Sequence, residues 1–370
     1  MGSTEKQPPR LQSLTSSPEP AVPASILVAV YARPKSTLKI TTTWTDERRR
    51  RPPLTYFSPS PRVARTMVSD QVWGDDEETH MERVEQEISW EADGKPVLIG
   101  ITRYGDGPVM LMLPALSSIS TRTELWPLQE LLGEHFATVA IDWPGFGTLP
   151  RPKVNWRPEL YRAFLQYVTE SVVQPEVTVA AGHAASYALA QAARVPGSLG
   201  RLCLLAPTWR GPLPTMAGSR KPAFRAVAKG VDIPVLGHAF YRLNVSKPVM
   251  NKMSNGHVYT SPDWLTPERM AEKLRVAHAP GARHASFRFV AGELDPYLDR
   301  QEFLDDASRV DDDILAVYSG AGPRKSSAEI KALAELRNVV GVKVTLGKLS
   351  FYEEFASQAA GPIVEFWKRG

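Results

Sequence analysis

A strand-to-helix junction at residues 177–190 carries the strongest chemical signal in this sequence. An apolar run leads into Gly182 and His183, and an alanine-rich segment follows. This order is typical of the G-x-S-x-G turn, in which a sharp bend between a strand and a helix exposes a serine nucleophile. Here the serine position reads Ala184 and the second glycine reads Ser186. Because a methyl group cannot attack a carbonyl carbon, the sequence predicts this turn without its nucleophile.

The elements that position the junction form an alternating series of strands and helices between residues 82 and 370. Several strands are continuous apolar runs, which is typical of parallel strands covered on both faces. The pattern therefore predicts an α/β fold with a doubly wound, mostly parallel sheet. The predicted strands are 84–90, 96–103, 108–113, 136–141, 176–181, 201–205, 314–319 and 340–346. The predicted helices are 123–133, 158–172, 184–194, 327–337 and 352–368.

Residues 207–310 interrupt this series. They contain helical stretches with scattered methionines and aromatic residues, but no clear succession of strands. We predict that they form a helical lid inserted after the sixth strand. Five of these side chains are expected in the interior of the lid rather than in a lipid-binding stripe: Met250, Met253, Tyr259, Trp264 and Met270.

The N-terminal residues 1–75 differ in composition from the rest of the chain. They are basic and rich in Pro, Ser and Thr, with four consecutive arginines from Arg48 to Arg51. Such a segment cannot bury enough apolar surface to offset its ordering entropy, so we predict a disordered tail. A transit peptide is an alternative, as is a true start at Met67 or Met81.

The net charge of +4 is unevenly distributed along the chain. Residues 1–66 and residues 211–285 each hold eleven Lys/Arg and four Asp/Glu, so each carries +7 and the remainder about −10. A charge confined to two segments does not indicate that the whole protein binds nucleic acid. The cations of the lid either form a solvated surface or attract an acidic or amphipathic ligand or a membrane surface: Arg220, Lys221, Arg225, Lys229, Arg242, Lys247 and Lys252.

No motif in the sequence indicates a cofactor, a metal ion or a membrane-spanning segment. Cys203, the one cysteine, lies in an apolar run and is expected to fill the core, which suits a reducing compartment. Histidines and carboxylates show no metal-ligand spacing, and no apolar stretch approaches the roughly 20 residues of a membrane helix. We expect no cofactor and a cytoplasmic location, with organellar import through the N-terminal tail as the alternative.

Taken in order, four weak signals resemble the α/β-hydrolase superfamily over residues 82–370. These are the turn at Gly105-Asp106-Gly107, the Asp142-x-x-Gly145-x-Gly147 turn, the Gly182-His183 junction and a C-terminal strand followed by glycine and a helix. The resemblance implies a hydrolase of small ester, amide or lipid-like substrates. It also implies a catalytic triad in the chain order serine, acid, histidine.

At the three positions that the resemblance assigns to the triad, this sequence has none of the expected residues. Ala184 occupies the serine position, and Ala321 stands where an acid is expected after strand 314–319. The histidine position after the last strand reads Lys348, which the spacing to Glu353 supports. The last histidine in the chain is His284, so no other alignment of the C-terminal segment restores the base.

Two residues are rival catalytic candidates. Asp295 lies in a Gly-Glu-Leu-Asp-Pro sequence that resembles the acid loop of the family, but it would require residues 286–291 to be the seventh strand. A turn or helix-capping role is the alternative for Asp295. His183 precedes the serine position and is usually structural in the family, and a histidine beside no serine or acid has nothing to activate.

The pocket of the family is expected to survive as a binding site. The Ala185 amide and an amide near Ala115 and Leu116 are predicted to form an anion-binding pair at the carboxyl end of the sheet, where open α/β sheets bind ligands. Ser117 and His183 are expected beside it. The sequence thus favours a non-catalytic protein that binds a small molecule, with an acidic or amphipathic one as the candidate, or a protein partner. An active hydrolase with rearranged residues is the alternative.

Overall fold

The computed structural model of the chain describes residues 82–369. These residues build one eight-stranded sheet in the order β1-β2-β4-β3-β5-β6-β7-β8. The first two strands form an antiparallel hairpin, β2 pairs with β4 in antiparallel fashion, and the remaining pairs are parallel. The strands are β1 Val84–Ala92, β2 Lys95–Tyr104, β3 Val109–Leu113, β4 Ala137–Ile141, β5 Val177–Ala181, β6 Arg201–Leu205, β7 Ile314–Ser319 and β8 Val339–Val344. The predicted doubly wound sheet is therefore confirmed.

Helices connect these strands and follow the predicted order. A 3₁₀ turn over Arg122–Leu125 precedes the first α-helix. The α-helices of the sheet layers are α1 Trp126–Leu132, α2 Pro158–Tyr167, α3 Ala184–Arg194, α11 Arg324–Ala334, α12 Phe351–Glu354 and α13 Ser357–Lys368. The helix predicted at 327–337 begins three residues earlier, at Arg324, with Pro323 as its N-cap, and it ends at Ala334. The predicted tail and transit peptide lie outside the described residues.

The sheet is buried on both faces, and each face has its own apolar core. Successive residues of β6 point to opposite sides, so Leu204 joins one core while Cys203 and Leu205 join the other. All five residues of β5 are buried, which places this strand at the centre of the fold. Burial raises the pKa of the Cys203 thiol to about 12, so it packs as a neutral core residue.

Seven α-helices and a π-helical turn at Ser254–Val258 lie between β6 and β7, in residues 207–310, which we call the insertion. The α-helices are α4 Pro212–Ala217, α5 Pro222–Gly230, α6 Leu236–Asn244, α7 Lys247–Met253, α8 Pro267–Ala277, α9 Ala282–Val290 and α10 Arg300–Ser308. Tyr241, Met250, Met270 and Phe287 form part of a separate core inside the insertion. Within residues 82–369, no helix combines the length and apolar character needed to cross a bilayer.

Candidate functional site

The turn between β5 and α3 bends at Gly182. Its φ of +52° lies in the left-handed region that residues with a Cβ rarely adopt. His183 already has helical angles, and Ala184 is the first residue of α3. The predicted turn is present, but the bend lies two residues before Ala184. We therefore take Gly182 as the position at which this turn would present a nucleophile.

A side chain at Gly182 would point towards the loop that follows β3. An added Cβ would lie 3.1 Å from the Cβ of Ala115, closer than ordinary van der Waals contact. The backbone of Gly182 is held on both sides, because its amide donates to the Leu205 carbonyl and its carbonyl accepts from the Thr208 amide. The bend is thus fixed by the neighbouring strand β6, and it carries no side chain that could react.

The predicted acid and base positions lie at the same carboxyl edge of the sheet, because β5, β7 and β8 run parallel. The Ser319 hydroxyl donates to the Gly347 carbonyl and accepts from the Ala321 amide, which ties the ends of β7 and β8 together. The half-buried Lys348 donates to the Asn255 carbonyl at 2.7 Å, so its ammonium bonds the insertion. Neither position supplies a carboxylate or an imidazole.

The amides predicted to bind an anion are already engaged. The Ala115 amide donates to Oε1 of Glu124 at 2.9 Å, and the Ala185 amide donates to the Gly182 carbonyl at 3.3 Å. Ser117 accepts a hydrogen bond from the Ile119 amide and so shapes its own loop. A carboxylate and a carbonyl of the chain itself thus accept from two of the predicted donors, and an anion-binding pair that includes the Leu116 amide stays a prediction.

A buried group of five polar residues, which we call the Glu124 cluster, lies against this loop. Nζ of Lys273 is 2.8 Å from Oε1 of Glu353. The Tyr259 hydroxyl donates to the second oxygen of Glu353 at 2.7 Å, and the Tyr352 hydroxyl donates to Oε1 of Glu124 at 3.1 Å. Lys273 comes from α8 of the insertion, whereas Glu124 and Glu353 come from the sheet layers.

Burial sets the protonation of the Glu124 cluster. Desolvation raises the pKa of Glu124 to about 7; the Lys273 ammonium opposes this rise, and the Glu353 carboxylate adds to it. Burial alone would lower the pKa of Lys273, but the carboxylate of Glu353 keeps that pKa above its ordinary value. The lysine thus stays charged at neutral pH while Glu124 is partly protonated. Sequence patterns missed this cluster because its members are far apart in the chain.

The rival candidates His183 and Asp295 form a buried pair. Nε2 of His183 lies 2.9 Å from Oδ1 of Asp295, and both side chains are fully buried. The carboxylate can only accept, so Nε2 carries the proton of this hydrogen bond. Among the described residues Nδ1 of His183 has no hydrogen-bond partner. The ring instead packs against Phe289 and Tyr187, at centroid distances of 5.3 and 5.9 Å.

Asp295 reaches His183 without following a strand. Residues 286–291 belong to the end of α9 and its cap, so the alternative in which they form the seventh strand is wrong. Oδ1 of Asp295 also accepts from the Gly211 amide at 2.8 Å, and Nη2 of Arg220 lies 3.1 Å from Oδ2. These contacts join the first turn of α3 to two segments of the insertion. Ser186 has no free hydroxyl for catalysis, since it donates to the His183 carbonyl.

The described residues show no site for a metal ion. No group of three or more His, Cys, Asp or Glu side chains between residues 82 and 369 is arranged to hold one. The buried carboxylates have other partners. Asp142, for example, accepts from Thr121 and Arg122, at 2.8 Å from the hydroxyl and 2.6 Å from the amide.

Comparison with known proteins agrees with the fold described above. The model of the alpha/beta hydrolase family matches residues 110–347, more than half of the chain. With its eight-stranded sheet and its turn after β5, the chain belongs to the α/β hydrolase family. No curated protein matches the sequence.

Solved structures show the same fold at low sequence identity. The Cif epoxide hydrolase from Acinetobacter nosocomialis has a TM-score of 0.59 and 13% identity, covering 76% of this chain and 88% of that one. BphD, a 2-hydroxy-6-oxo-6-phenylhexa-2,4-dienoate hydrolase from Rhodococcus sp. strain RHA1, has a TM-score of 0.58 and 15% identity. This match covers 78% of this chain and 100% of BphD. The haloalkane dehalogenase DatA from Agrobacterium tumefaciens C58 has a TM-score of 0.57 and 14% identity. This match covers 77% of this chain and 97% of DatA.

Proposed function

We propose that this chain is a non-catalytic member of the α/β hydrolase family that acts by binding. The observation that carries the proposal is Gly182 at the bend after β5, where hydrolysis by the family mechanism needs a nucleophilic side chain. Water activation in its place would need a base, but the chain has no histidine after His284 and Lys348 bonds the insertion.

The surroundings of the bend support the same conclusion. The Ala115 amide is bonded to Glu124, so this donor is not open to the oxygen of a substrate. Lys273, Glu353 and two tyrosines fill the adjoining space with mutually satisfied polar groups. An anion would have to displace a carboxylate that is already hydrogen-bonded. This argues against the small acidic ligand expected from the sequence, and it favours recognition through the outer surface.

One observation favours the alternative, a hydrolase with rearranged residues. His183 and Asp295 form an acid–histidine pair of the kind that activates a nucleophile. The pair is enclosed by aromatic rings, and no hydroxyl or thiol among the described residues meets Nδ1 of His183. We assign it a structural role, in which it joins α3 to the insertion.

The test is an assay of the purified protein with a fluorophosphonate probe and with a substrate panel. The panel combines p-nitrophenyl esters with an epoxide and a haloalkane, because the similar structures include hydrolases of these classes. We expect no labelling and no turnover above buffer. Turnover that His183→Gln abolishes while the exposed control His135→Gln retains it would establish the alternative. Stoichiometric labelling of a serine would also overturn the proposal.

A further inference from the structure

Helix α6 of the insertion has an apolar side that nothing in the described residues covers. Its inner side packs into the insertion, where Tyr241 lies 5.6 Å from Phe287 between ring centroids. Its outer face carries Leu236, Ala239 and Leu243, spaced three and four residues apart so that they share one side of the helix. Leu236 is 70% exposed and Leu243 is 61% exposed. Helices on the surface of soluble proteins are usually polar on this side.

The loop that leads into α6 extends this apolar face. Val235 is 79% exposed and Ile233 is also exposed, so four of the large exposed apolar side chains fall within eleven residues. Scattered exposed apolar residues need no explanation, but a contiguous group of them marks an interaction site.

A small cavity with cationic walls adjoins the same helix. It has a volume of about 60 Å³ and lies between α6 and the start of α9. His238, Arg242, His278 and Arg283 line it, and none of its lining residues is acidic. Among the described residues, Nε2 of His278 and Nε of Arg283 are buried without a hydrogen-bond partner. The walls thus offer several donors and positive charge, with no anion to balance them.

The sequence around α6 has the same sign of charge throughout. Between Asp232 and Asp263 there is no acidic residue, whereas Arg242, Lys247 and Lys252 are cationic. Burial, and after it the Arg242 cation, lowers the pKa of His278. An anion in the cavity would balance the positive charges of Arg242 and Arg283.

We propose that the outer face of α6 and its leading loop dock on the surface of an anionic lipid bilayer, with the cationic cavity receiving a lipid phosphate. The exposed leucines of α6, together with Arg242 on the same helix and Lys247 and Lys252 after it, have the composition of an interfacial segment, which buries its apolar side at the boundary between headgroups and acyl chains. Cations near an anionic leaflet each add attraction. Lysines such as Lys247 and Lys252, in contrast, are depleted at protein–protein interfaces. This surface does not depend on the chemistry at Gly182, so it can be tested separately from the proposed function.

The experiment is co-sedimentation of the full chain with vesicles of phosphatidylcholine alone or mixed with phosphatidylserine. We expect binding to the mixed vesicles only, weakening as ionic strength rises above about 0.15 M because salt screens the charges. Arg242→Glu should lower the partition coefficient by about tenfold or more, since it reverses one charge at the surface. Leu236→Ser should lower it by about tenfold through the loss of one inserted apolar side chain.

Matched controls lie outside this surface. Leu298 is exposed to the same extent as Leu236, at 70%, and Arg337 is an exposed arginine between α11 and β8. Leu298→Ser and Arg337→Glu should leave vesicle binding unchanged, and all four variants should unfold at the temperature of the wild type. Absence of binding to mixed vesicles would overturn the proposal, as would equal losses in the controls.

Two further outcomes would assign the surface differently and so contradict the proposal. If inorganic phosphate alone raised the unfolding temperature while vesicles did not bind, the cavity would be a site for a free anion. If the wild type were a dimer that Leu236→Ser converted to a monomer, without vesicle binding, the outer face of α6 would be an interface between two copies of the chain.

Discussion

At the scale of single residues, the sequence predicts the turn after β5 but not the residue at which the chain bends, Gly182. Small residues stand on both sides of the bend, at Ala180, Ala181, Ala184 and Ala185. The pattern of small side chains is therefore compatible with a nucleophile position at Gly182 as well as at Ala184. The hydrogen bond from the Gly182 amide to β6 decides between them, because it extends the pairing of β5 up to Gly182. That bond joins segments more than twenty residues apart, which no local pattern contains.

A comparison of two glycine substitutions tests the strain at the bend. Gly182 and Gly197 both have positive φ, +52° and +76°, but a Cβ at Gly197 would meet nothing within 4 Å. Gly197→Ala should therefore cost only the backbone penalty, roughly 1–2 kcal/mol. Gly182→Ala should cost more, because its Cβ also presses on Ala115. Urea unfolding measures both free energies, and equal values would show that the loop after β3 yields freely.

At the scale of secondary-structure elements, the fold was predictable and the connections between distant elements were not. Strands covered on both faces appear in the sequence as apolar runs, and β5 is buried along its whole length. The insertion offered no such signal, and residues 286–291 could be assigned as a strand until the structure placed them at the end of α9. The role of Asp295 followed only from the approach of α3, over a separation of 112 residues.

Removing the charge of Asp295 should loosen the connection between α3 and the insertion. Asp295→Asn removes the negative charge beside Arg220 and leaves a weaker, neutral acceptor for His183 and the Gly211 amide. Breaking one side of a buried polar pair costs on the order of 3 kcal/mol, so we expect a clear drop in unfolding temperature. Asp312→Asn, at an exposed carboxylate, should have little effect. Unchanged stability of Asp295→Asn would show that this pair does not hold the insertion in place.

At the scale of the whole molecule, the insertion is fixed to the sheet layers by buried charges. Lys273 on α8 contacts Glu353 on α12, and Glu329 on α11 accepts from Trp209 and Arg300, at 2.9 and 2.7 Å. Burial opposes ionisation of Glu329, but the hydrogen bonds from Arg300 and Trp209 hold its pKa below the ordinary value. No local sequence pattern indicates these pairs, because each charge is balanced by a partner from a distant element.

The raised pKa of Glu124 predicts that stability depends on pH. Between the ordinary value near 4.5 and about 7, the folded state keeps a proton on Glu124 that the unfolded state releases. Stability should therefore fall as pH rises through this window, by an amount on the order of 1–3 kcal/mol. Glu124→Gln should remove this decrease in stability with rising pH, while the exposed control Glu134→Gln should retain it. Unfolding temperatures between about pH 5 and pH 8 measure the difference, and parallel curves would contradict the assignment.

The Glu124 cluster also constrains how the chain can fold while the ribosome is still making it. Glu124 leaves the ribosome long before Tyr352, its hydrogen-bond partner 228 residues further on. At about 5–20 residues per second, the wait is roughly 10–50 s. Throughout that interval the carboxyl group of Glu124 lacks its tyrosine, and until α8 has been made it also lacks Lys273. We therefore expect Glu124 to reach its final depth only when the C-terminal helices pack against the N-terminal half.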